Sequence, residues 1–143
     1  MSRPAPLPRS EFPCFRALPT RWSDNDVYGH MNNTVHYALF DTAINGWLIE
    51  NGLLDLKNGP LIGMVVHTHC DYFAELAFPQ PITAGLAISR LGTSSATYRI
   101  GLFGDADEAA AQGEFVHVYS DRATRRPQPI PDHWRTVMER IAI

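Results

Sequence analysis

Two carboxylates in the polar segment between positions 23 and 33 are the side chains best placed to do chemistry. Asp24 and Asp26 are one residue apart and precede a segment with helical periodicity. The first N–H groups of a helix have no internal acceptor and favour nearby negative charge. Acyl transfer to water needs such a pair, because the carboxylate attacks or deprotonates water while the N–H groups stabilise the developing oxyanion.

The same two residues also fit a structural role. Asp and Asn are common in loops and at helix N-caps, where a side-chain oxygen accepts a backbone N–H. Taken alone, Asp24 and Asp26 therefore leave two interpretations open: a catalytic turn and a capping loop.

A long helix is predicted directly after this segment, from about Asn33 to Asn51. Its apolar residues form two neighbouring i, i+4 rows, so that one apolar stripe runs along the helix: Val35, Leu39, Ala43 and Trp47 in one row and Phe40, Ile44 and Leu48 in the other. Asn32 or Asn33 suits the N-cap, and Gly52 suits a left-handed residue that ends the helix. Gly46 indicates that another element approaches the helix closely.

The remaining sequence predicts strands. The segment Phe15 to Ser23 suits an edge strand because Pro19 interrupts it. Four strand-like segments follow the helix, with turns short enough for antiparallel neighbours: Met64 to Leu76, Ile82 to Leu91, Ser95 to Phe103 and Gly113 to Ser120. This order predicts an α+β domain in which an antiparallel sheet of about five strands surrounds one long buried helix.

Length and composition limit the organisation of the chain. With 143 residues, of which 45% are hydrophobic, it has room for one domain spanning 1–143. Residues 1–12 are rich in proline and are expected to form a loose arm. Residues 131–143 carry apolar residues at helical spacing and are expected to form a short packing helix.

Charge and apolar segments exclude several classes of function. A net charge of −3 gives no basic face for nucleic acid. No signal-peptide core and no apolar segment of roughly 18 residues is present, so we expect a soluble, cytoplasmic protein without a membrane partner. Cys14 and Cys70 lack the spacing of a zinc site or a disulfide framework and are expected to be free thiols.

The order Asp-x-Asp-x-x-Gly-His-x-Asn-Asn from Asp24 to Asn33, followed by a helix containing HYALFDTA, resembles the opening signature of the hydroxybenzoyl-CoA thioesterase-like family of hotdog-fold proteins. The resemblance covers Phe15 to Trp134 and includes LGTSSATYRI and FVHVYSDRATRRPQPIP. It implies a hotdog fold, dimers that join two sheets, active sites between subunits and acyl-CoA thioesterase activity. The partners it implies are acyl-CoA and a second copy of the chain, in a homodimer or a dimer-of-dimers tetramer.

The resemblance also implies roles for individual residues. Asp26 matches the catalytic carboxylate, acting as nucleophile or as general base, and backbone N–H groups at about Asn33 match those that polarise the thioester carbonyl. His30 corresponds to a fixed position that shapes the turn and completes the predicted catalytic set, whereas Asp24 is expected to be a structural acceptor. The predicted substrate contacts are Tyr28, Asn32, His36 and Ser95. His36 departs from the family pattern, in which many relatives carry Tyr at this position.

No metal and no cofactor are predicted, and coenzyme A enters only as part of the substrate. His67 and His69 alternate on one strand and can offer two ligands, but a third is missing nearby and His117 lies on another strand. Their strand is predicted instead to line the acyl pocket or the dimer seam. Two alternatives stay open at this point: a thioesterase acting on acyl carrier protein, and a hotdog protein that binds acyl-CoA without hydrolysis.

Overall fold

The computed structural model of the chain describes residues 4–143, so residues 1–3 of the predicted arm lie outside the described residues. The regular elements in chain order are β1 (Cys14–Leu18), α1 (Asn33–Glu50), β2 (Leu61–Tyr72), β3 (Ile82–Leu91), β4 (Ser95–Phe103), β5 (Ala111–Asp121) and α2 (Asp132–Met138). The element order matches the predicted one. The α+β class is therefore confirmed.

The five strands form one sheet in the order β1-β3-β4-β5-β2. This order places β1 and β2 at the two edges of the sheet. Every neighbouring pair is antiparallel. The register shifts between Val65 and His67, which marks an irregularity in β2. Together with the helix, this sheet is consistent with the expected hotdog arrangement.

Helix α1 has 18 residues and packs against β1, β3 and β4. Leu39, Phe40, Ala43, Ile44 and Leu48 of the predicted stripe are buried, Val35 and Trp47 are partly buried, and His36 is buried in addition. The Phe40 ring meets Phe115 of β5 edge-on, with ring centroids 5.9 Å apart. Asn32 caps the helix start, and Gly52 follows its end with a φ of 71°. A Cβ on Gly46 would lie 2.7 Å from the guanidinium carbon of Arg16 in β1, so the Arg16 side chain is the group that approaches the helix here.

Several strand ends differ from those predicted. The first strand ends at Leu18 rather than Ser23, because residues 22–24 form a 3₁₀ turn in which an Asp24 carboxylate oxygen accepts the Arg21 N–H at 2.8 Å. β2 begins three residues earlier than predicted and ends at Tyr72, and β5 includes Ala111. The early end of the first strand therefore follows from a local turn that the alternation of residue types does not signal.

The N-terminal arm lies against the outer face of the sheet. The Gln112 side chain accepts the N–H of Leu7 at 2.8 Å and donates to the carbonyl of Ala5 at 3.1 Å. Phe12 occupies the space above two glycines of neighbouring strands, where a Cβ on Gly85 would come within 2.6 Å of its ring. The expectation of a loose arm is therefore wrong for residues 4–12.

The C-terminal segment packs against the main core through Trp134, Met138 and Ile141. The predicted helix spans Asp132–Met138 and continues as a 3₁₀ turn over Glu139–Ile141. Trp134 is buried and its ring lies edge-on to Tyr119, with ring centroids 5.2 Å apart. Across residues 4–143, no helix combines the length and apolar character needed to cross a membrane.

Candidate active site

A short turn before α1 brings an acid and an imidazole together. The N–H of Asp26 donates to the His30 carbonyl at 2.9 Å, and the Gly29 N–H donates to the Asp26 carbonyl at 3.1 Å. Gly29 has a φ of 85°, a conformation that glycine adopts without steric cost. The closed turn places Nδ1 of His30 3.6 Å from Oδ2 of Asp26.

The Asp26 carboxylate is oriented and still reaches solvent. Its Oδ1 accepts the N–H of Tyr28 at 2.8 Å, which leaves Oδ2 on the side of His30. The Asp26 side chain is 19% exposed. A carboxylate held by one backbone donor, with its second oxygen free of strong partners, can attack a carbonyl carbon or take a proton from water.

Asp24 has a different environment. Its side chain is 3% exposed and accepts the Arg21 backbone N–H and the Arg21 guanidinium, each at 2.8 Å. Its carbonyl accepts the N–H of Asn32 at 2.9 Å. Asp24 therefore connects the 3₁₀ turn to the start of α1, which matches the structural role expected for it.

The start of α1 offers backbone donors next to the turn. Asn32 accepts the Thr34 N–H with its side chain at 3.0 Å, and its carbonyl accepts the Val35 N–H at 2.9 Å. Asn33 is the first residue of the helix, where the N–H has no intrahelical acceptor. Its N–H is thus the natural donor to an anionic oxygen at this end of the helix.

His36 and Tyr72 flank the same helix start. Nδ1 of His36 lies 3.3 Å from the Asn32 carbonyl oxygen, and the Tyr72 hydroxyl donates to the Asn33 carbonyl at 2.8 Å. The two rings meet edge-on with centroids 4.7 Å apart. Burial lowers the pKa of His36, against the opposing effect of hydrogen bonds to the Asn32 and Asn33 backbone. Burial also raises the pKa of Tyr72, which keeps its hydroxyl protonated.

Two cavities meet at Asp26. The first has a volume of about 590 Å³, and its lining includes Asp26, His30, Asn33, His36, Tyr72 and Glu75. The second has a volume of about 830 Å³ and is lined in part by Trp22, Val27, Tyr28, Asn32 and Asn33 together with Asp26. Asp26, Tyr28 and Asn33 belong to both linings. Of the seven predicted site residues, six therefore line one or both cavities.

Ser95 is the predicted site residue that a single chain does not bring to Asp26. It begins β4, and its carbonyl accepts the Gly92 N–H at 2.8 Å within the β3–β4 hairpin.

Tyr72 and Glu75 are site residues that the sequence analysis did not assign. Tyr72 ends an alternating strand 36 positions from His36 in the sequence, so no local pattern signals their contact. The prediction that this strand lines a pocket is nevertheless consistent with the position of Tyr72.

The three histidines considered as metal ligands do not converge. Nε2 of His69 lies 3.2 Å from a carboxylate oxygen of Glu114, whereas His117 is buried beside Tyr98 and Tyr119. Within the part of the chain that the structure describes, no group of three or more His, Cys, Asp or Glu side chains is arranged to hold a metal ion.

Comparison with known proteins identifies the family. The sequence model of the thioesterase-like superfamily matches residues 20–140, which include the whole Asp26 turn and the sheet from β2 to β5. The chain belongs to the thioesterase-like superfamily. The predicted thioesterase family is thereby confirmed, and so is the prediction of an enzyme of the thioesterase class.

Solved structures support this thioesterase-superfamily assignment over nearly the whole chain. The PA5185 protein of Pseudomonas aeruginosa strain PAO1 is 47% identical, with a TM-score of 0.93, and the match covers 96% of this chain and 97% of that protein. A thioesterase of Thermus thermophilus, solved in complex with coenzyme A and zinc, is 26% identical with a TM-score of 0.74, and the match covers 92% and 93% of the two chains.

A curated relative matches over a shorter region. The uncharacterized protein YsmA of Bacillus subtilis is 24% identical over 89 residues, which are 62% of this chain. The match covers 60% of the length of YsmA, so the likeness to that protein extends over part of its chain.

Proposed function

We propose that this protein hydrolyses an acyl-CoA thioester to the free acid and coenzyme A. The observation that carries the proposal is the shared position of the Asp26 carboxylate and the first residue of α1, Asn33, on the walls of the same two cavities. A thioester carbonyl bound between them has a carboxylate near its carbon and a helix N–H near its oxygen. Coenzyme A as the carrier is supported by the complex of the Thermus thermophilus thioesterase.

Asp26 has two chemically complete roles in this reaction. As nucleophile, it attacks the carbonyl carbon, the C–S bond breaks, coenzyme A leaves as a thiolate, and water then hydrolyses the acyl-Asp26 anhydride. As general base, it takes a proton from a water molecule while the water oxygen attacks the same carbon, and the thiolate leaves from the tetrahedral intermediate. In both routes negative charge develops on the carbonyl oxygen, where the Asn33 N–H stabilises it.

The neighbouring side chains divide into those that hold Asp26 and those that contact the substrate. His30 lies beside Asp26 Oδ2 and restricts the carboxylate. Tyr28 is exposed, and its ring stacks on His30 with centroids 6.3 Å apart, which places it to contact the bound thioester. Asn32 reaches the second cavity but uses its side-chain oxygen for the helix cap.

A homodimer formed through β2 is the second part of the proposal. β2 is an edge strand whose middle carries exposed apolar side chains, with Val66 60% exposed. Trp22, Val27 and Tyr28 are also exposed beside Asp26, and Val27 is 92% exposed. An apolar edge strand is a template for pairing with another strand. Pairing of two copies extends the sheet and is compatible with a dimer or a dimer of dimers.

A thioester screen tests the proposed reaction. The purified protein is assayed with short, long, aliphatic and aromatic acyl-CoA thioesters, and with an acyl group carried on acyl carrier protein. We expect hydrolysis of at least one acyl-CoA and a loss of at least about 10²-fold in kcat for Asp26→Asn. The matched control is Asp105→Asn, which neutralises an exposed loop carboxylate away from both cavities and should keep full activity.

The other outcomes are distinguishable. If only the thioester on acyl carrier protein is hydrolysed, the protein is a thioesterase but coenzyme A is not the carrier. Tight binding of acyl-CoA in calorimetry without hydrolysis identifies a binding protein. Full activity of Asp26→Asn against every thioester that the wild type cleaves excludes Asp26 from the mechanism.

A further inference from the structure

We propose that His36 and Tyr72 are positioning residues that fix the peptide groups at the start of α1 and so aim the N–H of Asn33. The inference rests on the proposed function, in which that N–H stabilises the oxyanion. It gives His36 a role other than the direct substrate contact implied by the family resemblance, and it gives Tyr72 a role that the sequence did not suggest.

The argument begins with peptide geometry. The carbonyl of Asn32 and the N–H of Asn33 belong to one planar peptide group. A donor that holds the Asn32 oxygen therefore also fixes the direction of the Asn33 N–H. A hydrogen bond accepted by the oxygen polarises the group as well, which strengthens its N–H as a donor.

His36 supplies such a hydrogen bond. Its Nδ1 lies 3.3 Å from the Asn32 carbonyl oxygen, which also accepts the Val35 N–H at 2.9 Å. Because a carbonyl oxygen can only accept, Nδ1 must carry the hydrogen. The lowered pKa of His36 keeps the ring neutral near pH 7, so this tautomer leaves Nε2 unprotonated.

Tyr72 holds the next peptide group in the same way. Its hydroxyl donates to the Asn33 carbonyl at 2.8 Å, and that carbonyl shares a peptide group with the N–H of Thr34, which Asn32 caps at 3.0 Å. His36 is buried, and its ring packs edge-on against Tyr72. Because Tyr72 comes from β2, the helix start is attached to the edge strand of the sheet and not only to its own turn.

Three substitutions separate positioning from packing. His36→Phe keeps a ring but removes the N–H, Tyr72→Phe removes only the hydroxyl, and His36→Asn places a side-chain N–H close to the position of Nδ1. We expect kcat to fall about tenfold in His36→Phe and in Tyr72→Phe, less than the roughly 10²–10³-fold cost of losing a whole oxyanion donor. KM should change by less than about twofold, because the lost effect belongs to the transition state. His36→Asn should recover most of kcat.

A second readout does not depend on activity. The amide proton of Asn33, observed by NMR in the wild type and in each variant, should move upfield in His36→Phe because the Asn32–Asn33 peptide group loses polarisation. It should return towards the wild-type position in His36→Asn. The control is Tyr98→Phe, which removes a buried hydroxyl that lies 2.6 Å from the Tyr119 hydroxyl. That control should lower Tm but leave kcat and the Asn33 amide proton unchanged.

The results separate this inference from the proposed function. Unchanged kcat and an unmoved Asn33 amide in both His36→Phe and Tyr72→Phe overturn the inference even if the wild type is a good thioesterase. A rise in KM with unchanged kcat assigns His36 to substrate contact and also overturns it. If the wild type hydrolyses no thioester, the proposed function fails, while the amide shift still tests whether His36 polarises the peptide group.

Discussion

Asp26 and His30 face each other across the turn that precedes α1, with backbone N–H to carbonyl at 2.9 Å and Nδ1 to Oδ2 at 3.6 Å. The backbone bond closes the turn, and the side-chain approach limits the rotation of the carboxylate. Asn33 begins α1 three positions after His30. The Asp26 carboxylate and the first N–H of the helix are therefore held on one short segment. Asp24, in contrast, is buried and bound to Arg21.

Asp24 and Asp26 should respond oppositely to the same substitution. Asp24→Asn places an NH₂ group against the Arg21 donors in a buried site, and it should reduce the free energy of unfolding by about 1–3 kcal/mol. Asp26→Asn keeps an oxygen for the Tyr28 N–H and should leave stability nearly unchanged while activity is lost. Urea unfolding followed by circular dichroism measures both variants. Equal stability of the two variants would contradict the structural role of Asp24.

His117 should make the protein less stable in acid. Its ring nitrogens are buried and find no hydrogen-bond partner among residues 4–143, and Tyr98 and Tyr119 pack against the ring. Burial lowers the pKa of His117 from its ordinary value of 6.5 to about 4. As pH falls, the unfolded chain therefore binds a proton at this histidine before the folded chain does. The contribution of neutral His117 to the free energy of unfolding is fully present above pH 6.5 and is lost as pH falls towards about 4. The total loss is about 3 kcal/mol.

The variant His117→Phe tests this pH dependence. It keeps an aromatic ring between the two tyrosines and removes the titrating group, so the urea midpoint should depend less on pH between 7 and 4. His133→Gln, at an exposed position of α2, serves as the control for the removal of an imidazole outside the core. The pKa of His36 is also lowered, so the urea midpoint of His117→Phe should still depend on pH, but less steeply than that of the wild type. An unchanged slope in that variant would refute the assignment to His117.

The exposed edge of β2 should determine the oligomeric state. Val66→Lys introduces a charge into the middle of the apolar edge and should weaken self-association on the order of 100-fold, because the charge would be buried against a second copy. Analytical ultracentrifugation over a concentration series measures the shift towards monomer. Leu56→Lys, an equally apolar-to-charged change at an exposed loop position, should not alter the distribution. A wild type that is monomeric at high micromolar concentration would disprove pairing through β2.

Gln112 should control the order of the N-terminal arm. Gln112→Leu removes the acceptor for the Leu7 N–H and the donor to the Ala5 carbonyl together. The Leu7 amide should then exchange with deuterium at least about tenfold faster, as expected when a segment opens locally. Gln128→Leu, on a loop away from the arm, is the control. Unchanged protection of Leu7 in Gln112→Leu would show that the arm is held by its other contacts, among them the Arg9 guanidinium bond to the Gly104 carbonyl and the Ala109 N–H bond to the Leu7 carbonyl.

Local features of the fold were readable from the sequence because short-range interactions create them. The helix start at Asn33, the cap at Asn32 and the left-handed Gly52 follow from backbone groups that nearby side chains or conformations satisfy. The close approach inferred at Gly46 is confirmed, although its cause is the Arg16 side chain and not a strand backbone. The alternation of apolar and polar residues predicted the strands, although the predicted ends differ from the observed ones by a few residues.

The site was predictable only in part. Its central segment is contiguous, so one motif located Asp26, His30 and Asn33, and the structure places all three on one cavity. Their catalytic roles stay predictions until the substitutions are made. Ser95 was assigned through the family resemblance alone, and in a single chain it lies in a hairpin that does not line either cavity at Asp26.

The sequence by itself determined the helix, the antiparallel strands and the acid next to the helix start, because each depends on residues within a few positions of one another. The tertiary structure alone decided that Tyr72 reaches the Asn33 carbonyl and that Phe12 covers Gly85. These contacts join residues far apart in the chain. Their existence depends on strand register and on the path of the arm across the sheet, which local composition does not encode.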